Sequence, residues 1–168
     1  MGVLKSNTTG VHRAKVVLLG EPGVGKTSLV QRFVHSVFSE KHKSTLGVKV
    51  DRKTVVLDGT SVALLIWDMH GETEGLSIPA NYLTGTGAGI VVFDSTRPET
   101  VDLALNLGER LVAASPEAQI QYVANKSDLE FDQAALSAKL TDQQVTATSA
   151  KTGDGVEELF DAVARSVL

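Results

Sequence analysis

Short apolar runs alternate with amphipathic segments along this chain of 168 residues. The first run, Ala14 to Leu19, is almost continuously apolar and ends at Gly20, which is typical of a strand buried on both faces of a parallel sheet. The segment Thr27 to His35 then repeats its apolar side chains at helical spacing. The glycine-rich stretch between these segments is therefore predicted to be a strand-to-helix turn.

Two β-rich runs follow, Val48 to Leu57 and Ser61 to Trp67, and the sequence DGT at residues 58–60 separates them. Such a turn is a strong hairpin signal, so one strand pair is predicted to be antiparallel. The elements predicted beyond it are strand Ile90 to Phe93, a helix from about Glu99 to Ala113, strand Ile120 to Ala124, a short helix around Gln133 to Leu140, strand Val145 to Ala147 and helix Val156 to Val167. Strands that alternate with helices along the chain require crossover connections between parallel strands. We therefore predict an α/β fold of three layers, with a doubly wound, mostly parallel six-stranded sheet and one antiparallel edge strand.

The composition narrows the class of protein. With 42% hydrophobic residues, the chain can form one domain, which we place at residues 13–168 after a flexible leader at residues 1–12. Its apolar runs are far shorter than the roughly 20 residues that span a bilayer, so no membrane association is expected for the chain as given. The absence of cysteine excludes disulfides and favours the cytoplasm. A net charge of −4 gives no general attraction to nucleic acid, so any phosphate chemistry must be local.

The turn after the first strand carries a phosphate-binding motif. Residues 20–27, GEPGVGKT, satisfy G-x-x-x-x-G-K-[ST], and they lie between a predicted strand and a predicted helix, which is the context the motif requires. Lys26 is expected to reach the β- and γ-phosphates of a nucleotide, and the Thr27 hydroxyl to hold Mg²⁺. The residues predicted to contact the nucleotide here are Glu21, Pro22, Gly23, Val24, Gly25, Lys26, Thr27 and Ser28. We refer to residues 20–27 as the phosphate loop.

A second motif favours guanine. Residues 125–128, NKSD, directly follow a predicted strand and so lie at the carboxyl edge of the sheet, where ligands bind in open α/β folds. Asp128 can accept hydrogen bonds from the N1–H and 2-amino groups of guanine, which adenine does not offer there. A site built around such hydrogen bonds rejects an analogue that lacks them by factors on the order of 10⁴. We refer to residues 125–128 as the base loop.

From Arg13 to Leu168 the chain resembles a small GTPase of the Ras superfamily, closest to the Rab branch. The matching segments, in order, are GEPGVGKTS at 20–28, STLGV at 44–48, WD at 67–68 with Gly71, NKSD at 125–128 and TSAK at 148–151. The resemblance implies a P-loop G domain that binds GTP or GDP with Mg²⁺ and hydrolyses GTP slowly. It also implies protein partners: effectors that recognise nucleotide-dependent loops, an exchange factor and an activator.

The resemblance assigns roles around the base. Phe38 would lie against one face of the guanine and the Lys126 side chain against the other. The backbone N–H of Ala150 would meet guanine O6, in a loop shaped by Ser149 and Lys151.

It assigns further roles around the phosphates. Asn125 would tie the base loop to the phosphate loop. Thr45 would close onto Mg²⁺ and the γ-phosphate in the triphosphate state, Asp68 would hold Mg²⁺ through water, and the Gly71 N–H would meet the γ-phosphate. The predicted catalytic set is Lys26, Thr45, Gly71 and Glu72, and the predicted metal ligands are Thr27, Thr45 and Asp68.

The chain departs from the family pattern in the second switch. Where the family has D-T-A-G-Q-E, residues 68–73 read DMHGET, so Glu72 replaces the glutamine that orients the attacking water. An ionised Glu72 only accepts hydrogen bonds and would face an anionic γ-phosphate, which slows hydrolysis. A raised pKa would instead leave Glu72 protonated and able to mimic the amide. His70 is expected to be a packing or surface residue.

The phosphate loop also departs from the family pattern, because Pro22 occupies a position that is glycine in Ras. A proline ring at this position can block the water-positioning residue. Arg97 follows a different strand and is not expected to act on the phosphates. Two function classes stay open: a GTPase switch, and a GTP- or GDP-binding interaction module with negligible turnover. A P-loop kinase is a third class, which would need a lid and an acceptor site.

Overall fold

In a computed structural model of the chain, residues 10–41 and 43–168 are described. Of the predicted leader, residues 1–9 lie outside this range, and the first strand begins at His12. The elements are β1 (His12–Leu19), α1 (Lys26–His35), β2 (Val48–Leu57), β3 (Thr60–Met69), a short 3₁₀ helix (Ala80–Tyr82), β4 (Ala88–Asp94), α2 (Thr100–Ala114), β5 (Gln119–Asn125), α3 (Gln133–Lys139), β6 (Val145–Ala147) and α4 (Val156–Ser166). The 3₁₀ helix was not predicted, whereas every predicted helix and strand is present.

The six strands form one sheet in the order β2-β3-β1-β4-β5-β6. β2 lies at one edge and runs antiparallel to β3, while the other neighbouring pairs are parallel and β6 forms the second edge. This confirms the predicted fold class. From β1 the chain builds the sheet first to one side, through β2 and β3, and then to the other, so the strand order reverses at β1. Ligands of open α/β sheets bind outside the carboxyl ends of the strands at such a point.

The core has two halves, one on each face of the sheet. Val16 and Leu18 pack on the side of α1 and α4, where the rings of Phe33 and Phe160 stack with centroids 3.8 Å apart. Val17 and Leu19 pack on the opposite side, against α2 and α3. Because β1 is buried on both faces, its sequence is a continuous apolar run rather than an alternating one. In the described part of the chain, no helix is both long enough and apolar enough to cross a membrane.

Candidate functional site

The carboxyl ends of four neighbouring strands bring the predicted motifs together. β1 ends at the phosphate loop and β5 ends at the base loop, with β4 between them. Asn125 Nδ2 donates to the Val24 carbonyl at 3.0 Å, which joins residues 101 positions apart in the sequence. On the other side of β1, Leu18 pairs with Asp68 of β3. The two motifs therefore form one site.

Close packing explains two of the glycines in the phosphate loop. Gly20 has a φ of 153° and Gly25 a φ of 105°, both in the region that favours glycine. A Cβ on Gly20 would lie 2.3 Å from the Val92 carbonyl oxygen, and one on Gly25 would lie 2.2 Å from Asn125 Nδ2. The helix that follows begins at Lys26 with no side-chain cap and no acid in its first turn. Its first N–H groups are therefore suited to an anion.

Lys26 is a buried cation inside the loop. Only 6% of the residue is exposed, and its Nζ donates to the carbonyls of Gly20 at 3.0 Å and Glu21 at 2.8 Å. Burial lowers the pKa of Lys26 to about 8, although the negative charges of Asp68 and Glu21 oppose the shift. No carboxylate forms a direct ion pair with Lys26 among the described residues, so an anionic ligand would supply the charge that stabilises it.

Three side-chain oxygens meet beside Lys26. The Thr27 hydroxyl donates to Asp68 Oδ2 at 2.7 Å, and Thr27 Oγ1 lies 2.7 Å from Thr45 Oγ1. Asp68 is 1% exposed, and its Oδ1 has no hydrogen-bond partner among the residues that the structure describes. Burial raises the pKa of Asp68, while the Thr27 hydrogen bond and the charge of Lys26 oppose the rise. The predicted metal ligands therefore lie together, although they come from α1, the segment at 43–47 and β3.

This cluster fits a small, hard cation such as Mg²⁺. Such a cation prefers oxygen ligands and keeps several waters, so two hydroxyls and one carboxylate are a suitable set. The fit depends on Asp68 Oδ1, because a buried carboxylate oxygen without a donor is costly unless a cation or donor meets it. Within residues 10–41 and 43–168, no group of three or more His, Cys, Asp or Glu side chains could hold a metal. A metal at this edge would be held by Asp68 together with the hydroxyls of Thr27 and Thr45.

Neighbouring residues hold the base loop in place. Lys126 has a φ of 63°, and its Nζ lies 2.8 Å from Asp94 Oδ2. Asp128 is exposed, and its Oδ1 accepts from the Ser149 hydroxyl at 2.8 Å. The Ala150 N–H donates to Asn125 Oδ1 at 3.3 Å, so the 148–151 segment lies directly against the base loop. An exposed carboxylate oriented by a hydroxyl is suited to accept hydrogen bonds from a ligand.

The other predicted contact residues surround these groups. The side chain of Val24 is fully buried in the core, so Val24 can contact a ligand only through its backbone. Phe38 is half-buried and packs against the core cluster that contains Ala150. Lys151 is exposed, with Nζ 3.3 Å from Glu40 Oε1. The exposed or half-buried residues on the outer side of the phosphate loop and the first turn of α1 are Glu21, Pro22, Gly23 and Ser28.

Glu72 points to α2. Its carboxylate accepts from the Arg110 guanidinium and from the Ile78 N–H at 3.0 Å. Burial alone raises the pKa of Glu72, but the hydrogen bonds from Arg110, Ile78 and Ser77 lower it below its usual value. This is the opposite of the raised pKa considered from the sequence. In this conformation Glu72 is ionised and its carboxylate pairs with Arg110 of α2.

The segment around Gly71 packs directly on the phosphate loop. A Cβ on Gly71 would lie 2.3 Å from Pro22 N, and the Glu72 N–H donates to the Gly20 carbonyl at 3.3 Å. His70 is 6% exposed, so it is a packing residue rather than a surface one. Its backbone N–H donates to the Gly47 carbonyl at 3.0 Å, and its Nδ1 lies 3.2 Å from the same oxygen. His70 thus links the segment after β3 to the segment after Thr45.

Three arginines at the site were not predicted. Arg110 reaches Glu72 from α2, and Arg97 donates to the Pro22 carbonyl at 3.2 Å. Arg32 Nε donates to the Ala150 carbonyl at 2.8 Å and so holds the 148–151 segment. Their partners are 38, 75 and 118 residues away, so no local pattern marks them.

A comparison with known families agrees with this geometry. A family model described as the Ras family matches residues 15–168. The match includes the whole phosphate loop, the base loop and the 148–151 segment, together with all four helices.

Proposed function

The chain belongs to the Ras family of small GTPases and is therefore a GTP-binding switch protein in general terms, and on this premise we propose that it binds GTP and GDP with Mg²⁺ and hydrolyses GTP slowly. The observation that carries the proposal is the meeting of Thr27, Thr45 and Asp68 beside the buried Lys26. Folding alone does not explain why a buried ammonium lies near a buried carboxylate that has, within residues 10–41 and 43–168, one oxygen without a partner.

Each side chain has a role that follows from its position. Lys26 would neutralise the terminal phosphates from inside the loop, while the N-terminal N–H groups of α1 would hold the phosphate oxygens. Thr27, Thr45 and Asp68 would hold Mg²⁺, which supplies charge neutralisation between the phosphates when it is bound. Asp128 would read the guanine base.

Slow hydrolysis follows from the state of Glu72. Orientation of the attacking water in this family depends on a residue that both donates and accepts hydrogen bonds. Glu72 is ionised and occupied by Arg110 and the Ile78 N–H, so it cannot donate. Intrinsic turnover on the order of 10⁻⁴ per second or less is therefore expected.

Switching would use the two segments that His70 connects. Thr45 and Gly47 lie on one segment and Gly71 lies on the other. Gly71 packs directly against Pro22 of the phosphate loop. Because Thr45 takes part in the proposed metal site, a change in the nucleotide would act on both segments together. We propose that effectors, an exchange factor and an activator recognise these segments in the cytoplasm.

The second candidate is an interaction module that holds GTP or GDP with negligible turnover. The ion pair between Glu72 and Arg110 favours this candidate. Glu72 occupies the family's water-orienting position, and the pair holds its carboxylate against α2. Both candidates require guanine-nucleotide binding, so they differ only in turnover.

The first experiment identifies the ligand. Nucleotide that copurifies with the full chain is released by heat and identified by chromatography, and a fluorescent GDP analogue is then titrated with Mg²⁺ or with EDTA. We expect GDP or GTP to copurify, EDTA to accelerate release, and ATP not to compete. The absence of any guanine-nucleotide association in Mg²⁺ would refute the proposal.

The second experiment separates the two candidates. Single-turnover GTP hydrolysis is followed by phosphate release, with and without cell extract. Slow release that extract accelerates supports the switch. No release above background in either condition supports the module.

A further inference from the structure

Asp94 lies at the end of β4, between the phosphate loop and the base loop. It is 1% exposed, yet both its oxygens have hydrogen-bond donors. Oδ1 accepts from the Thr96 N–H at 2.9 Å and the Thr96 hydroxyl at 2.7 Å. Oδ2 lies 2.8 Å from Lys126 Nζ and 3.2 Å from Arg97 Nε. One buried carboxylate thus holds two cations that extend in different directions.

The Arg97 guanidinium contacts both this carboxylate and the phosphate loop. Its Nη2 donates to the Pro22 carbonyl at 3.2 Å, and its Nη1 lies 3.7 Å from Glu21 Oε2. A Cβ on Gly23 would lie 3.7 Å from the same Nη2. The guanidinium fork therefore contacts a buried carboxylate with one N–H and the outer side of the phosphate loop with another, an arrangement that a lysine cannot reproduce.

Lys126 extends from the same carboxylate in the other direction. It has a positive φ of 63°, a conformation rarely adopted by residues other than glycine, and the ion pair with Asp94 fixes its side chain. Burial raises the pKa of Asp94, but the hydrogen bonds from Lys126, Thr96 and Arg97 lower it overall, so the carboxylate is charged. The Asp94 carboxylate therefore connects the two loops, in addition to the hydrogen bond from Asn125 to the Val24 carbonyl.

We propose that Asp94 and Arg97 form a positioning bridge between the phosphate loop and the base loop, and that this bridge sets how long a guanine nucleotide stays bound. The inference rests on the proposed function for its ligand. It adds two positioning residues, neither of which is predicted to touch the nucleotide. Exposed ion pairs contribute little, but Asp94 is almost fully buried, and loss of one partner from a buried pair is costly.

The test compares Arg97→Gln, Arg97→Lys and Asp94→Asn with the parent chain. The control is Arg165→Gln, which removes an arginine from an exposed ion pair with Asp58 at the opposite edge of the sheet. The dissociation rate of a fluorescent GDP analogue is measured in excess Mg²⁺. The affinities for GDP, GMP and IDP are then measured. GMP lacks the β-phosphate and so reports on the phosphate loop, whereas IDP lacks the 2-amino group and so reports on the base loop.

We expect Arg97→Gln to raise the dissociation rate about tenfold, as loss of a partly exposed, charge-assisted hydrogen bond implies. It should reduce the preference for GDP over GMP and leave the preference for GDP over IDP unchanged. Asp94→Asn should reduce both preferences, and Arg97→Lys should give an intermediate rate. Arg165→Gln should match the parent chain.

A second readout does not need a nucleotide. Hydrogen exchange in the nucleotide-free chain should be faster at residues 20–25 in Arg97→Gln, and faster at both 20–25 and 125–128 in Asp94→Asn. If Asp94→Asn does not fold, the Arg97→Gln variant still tests whether the bridge controls nucleotide dissociation. Parent-like dissociation and exchange in Arg97→Gln would overturn the bridge alone, whereas a parent chain that binds no guanine nucleotide would overturn the proposed function together with it.

Discussion

Replacement of Glu72 by glutamine should accelerate GTP hydrolysis. In the structure the Glu72 carboxylate is 11% exposed and accepts from Arg110, which is 31% exposed, and from the Ile78 N–H. A glutamine can offer one oxygen to these donors, but its amide NH₂ group would face a donor. The substitution therefore weakens the contacts that hold residue 72 against α2, and it supplies the donor that an ionised glutamate lacks.

The size of the effect follows from the contact that is lost. A hydrogen bond to a charged group contributes about 1.5–3 kcal/mol. Since 1.4 kcal/mol changes an equilibrium constant about tenfold, release of residue 72 from α2 becomes about 10- to 100-fold more frequent. We expect the single-turnover rate to rise by up to that factor, because a residue oriented toward the water is productive only while it is released.

The assay is phosphate release from preloaded GTP in a single turnover, with two matched variants. Arg110→Gln also releases residue 72 but keeps its negative charge, so it should not accelerate hydrolysis. Glu109→Gln makes the same charge change at an exposed neighbouring position of α2 and should behave like the parent chain. A rate in Glu72→Gln no higher than in the parent, with GTP binding intact, would refute the reasoning.

Four further predictions concern nucleotide binding and the contact with the phosphate loop. Lys26→Ala should abolish triphosphate binding while the surface variant Lys139→Ala retains it, and equal affinities in a GTP titration would contradict the role of Lys26. Because burial lowers the pKa of Lys26 to about 8, nucleotide binding above that pH should take up a proton and weaken as the pH rises; calorimetry in two buffers of different ionisation enthalpy measures the uptake, and zero uptake would count against it. Asp128→Asn should shift base preference from guanine towards xanthine, which competition with XTP measures, and unchanged selectivity would speak against Asp128 as the base reader. Gly71→Ala should force its segment off the phosphate loop, because a Cβ would lie 2.3 Å from Pro22 N; hydrogen exchange at residues 70–79 should increase, and unchanged exchange would show that the loop adapts in place.

The sheet could be predicted from the sequence because its signals are local. Strands buried on both faces are continuous apolar runs, and the DGT turn separates the one antiparallel pair. The phosphate loop and the base loop are also contiguous motifs directly after strands. Their meeting follows from topology, since β1 and β5 are parallel strands on either side of β4.

The surroundings of Glu72 could not be predicted in the same way. The sequence shows that a glutamine is replaced, but the orientation of the new side chain depends on Arg110, a residue of α2 with no special spacing. The charge of the sequence position alone is compatible with both an ionised and a protonated Glu72. The tertiary contact decides it, because an arginine and a backbone N–H both stabilise the ionised form.

Two buried aspartates, one on either side of β1, differ in whether the protein itself supplies hydrogen-bond partners for their carboxylates. Asp94, at the end of β4, receives donors on both oxygens, and its pKa is lowered. Asp68, near the end of β3, is just as buried, yet one of its oxygens has no partner in the described part of the chain, and burial raises its pKa. The protein therefore provides the full set of partners for the first carboxylate but not for the second. In the proposed function, a cation held by Thr27, Thr45 and Asp68 would supply the partner that the second carboxylate lacks, and a bound anion would pair with the buried Lys26.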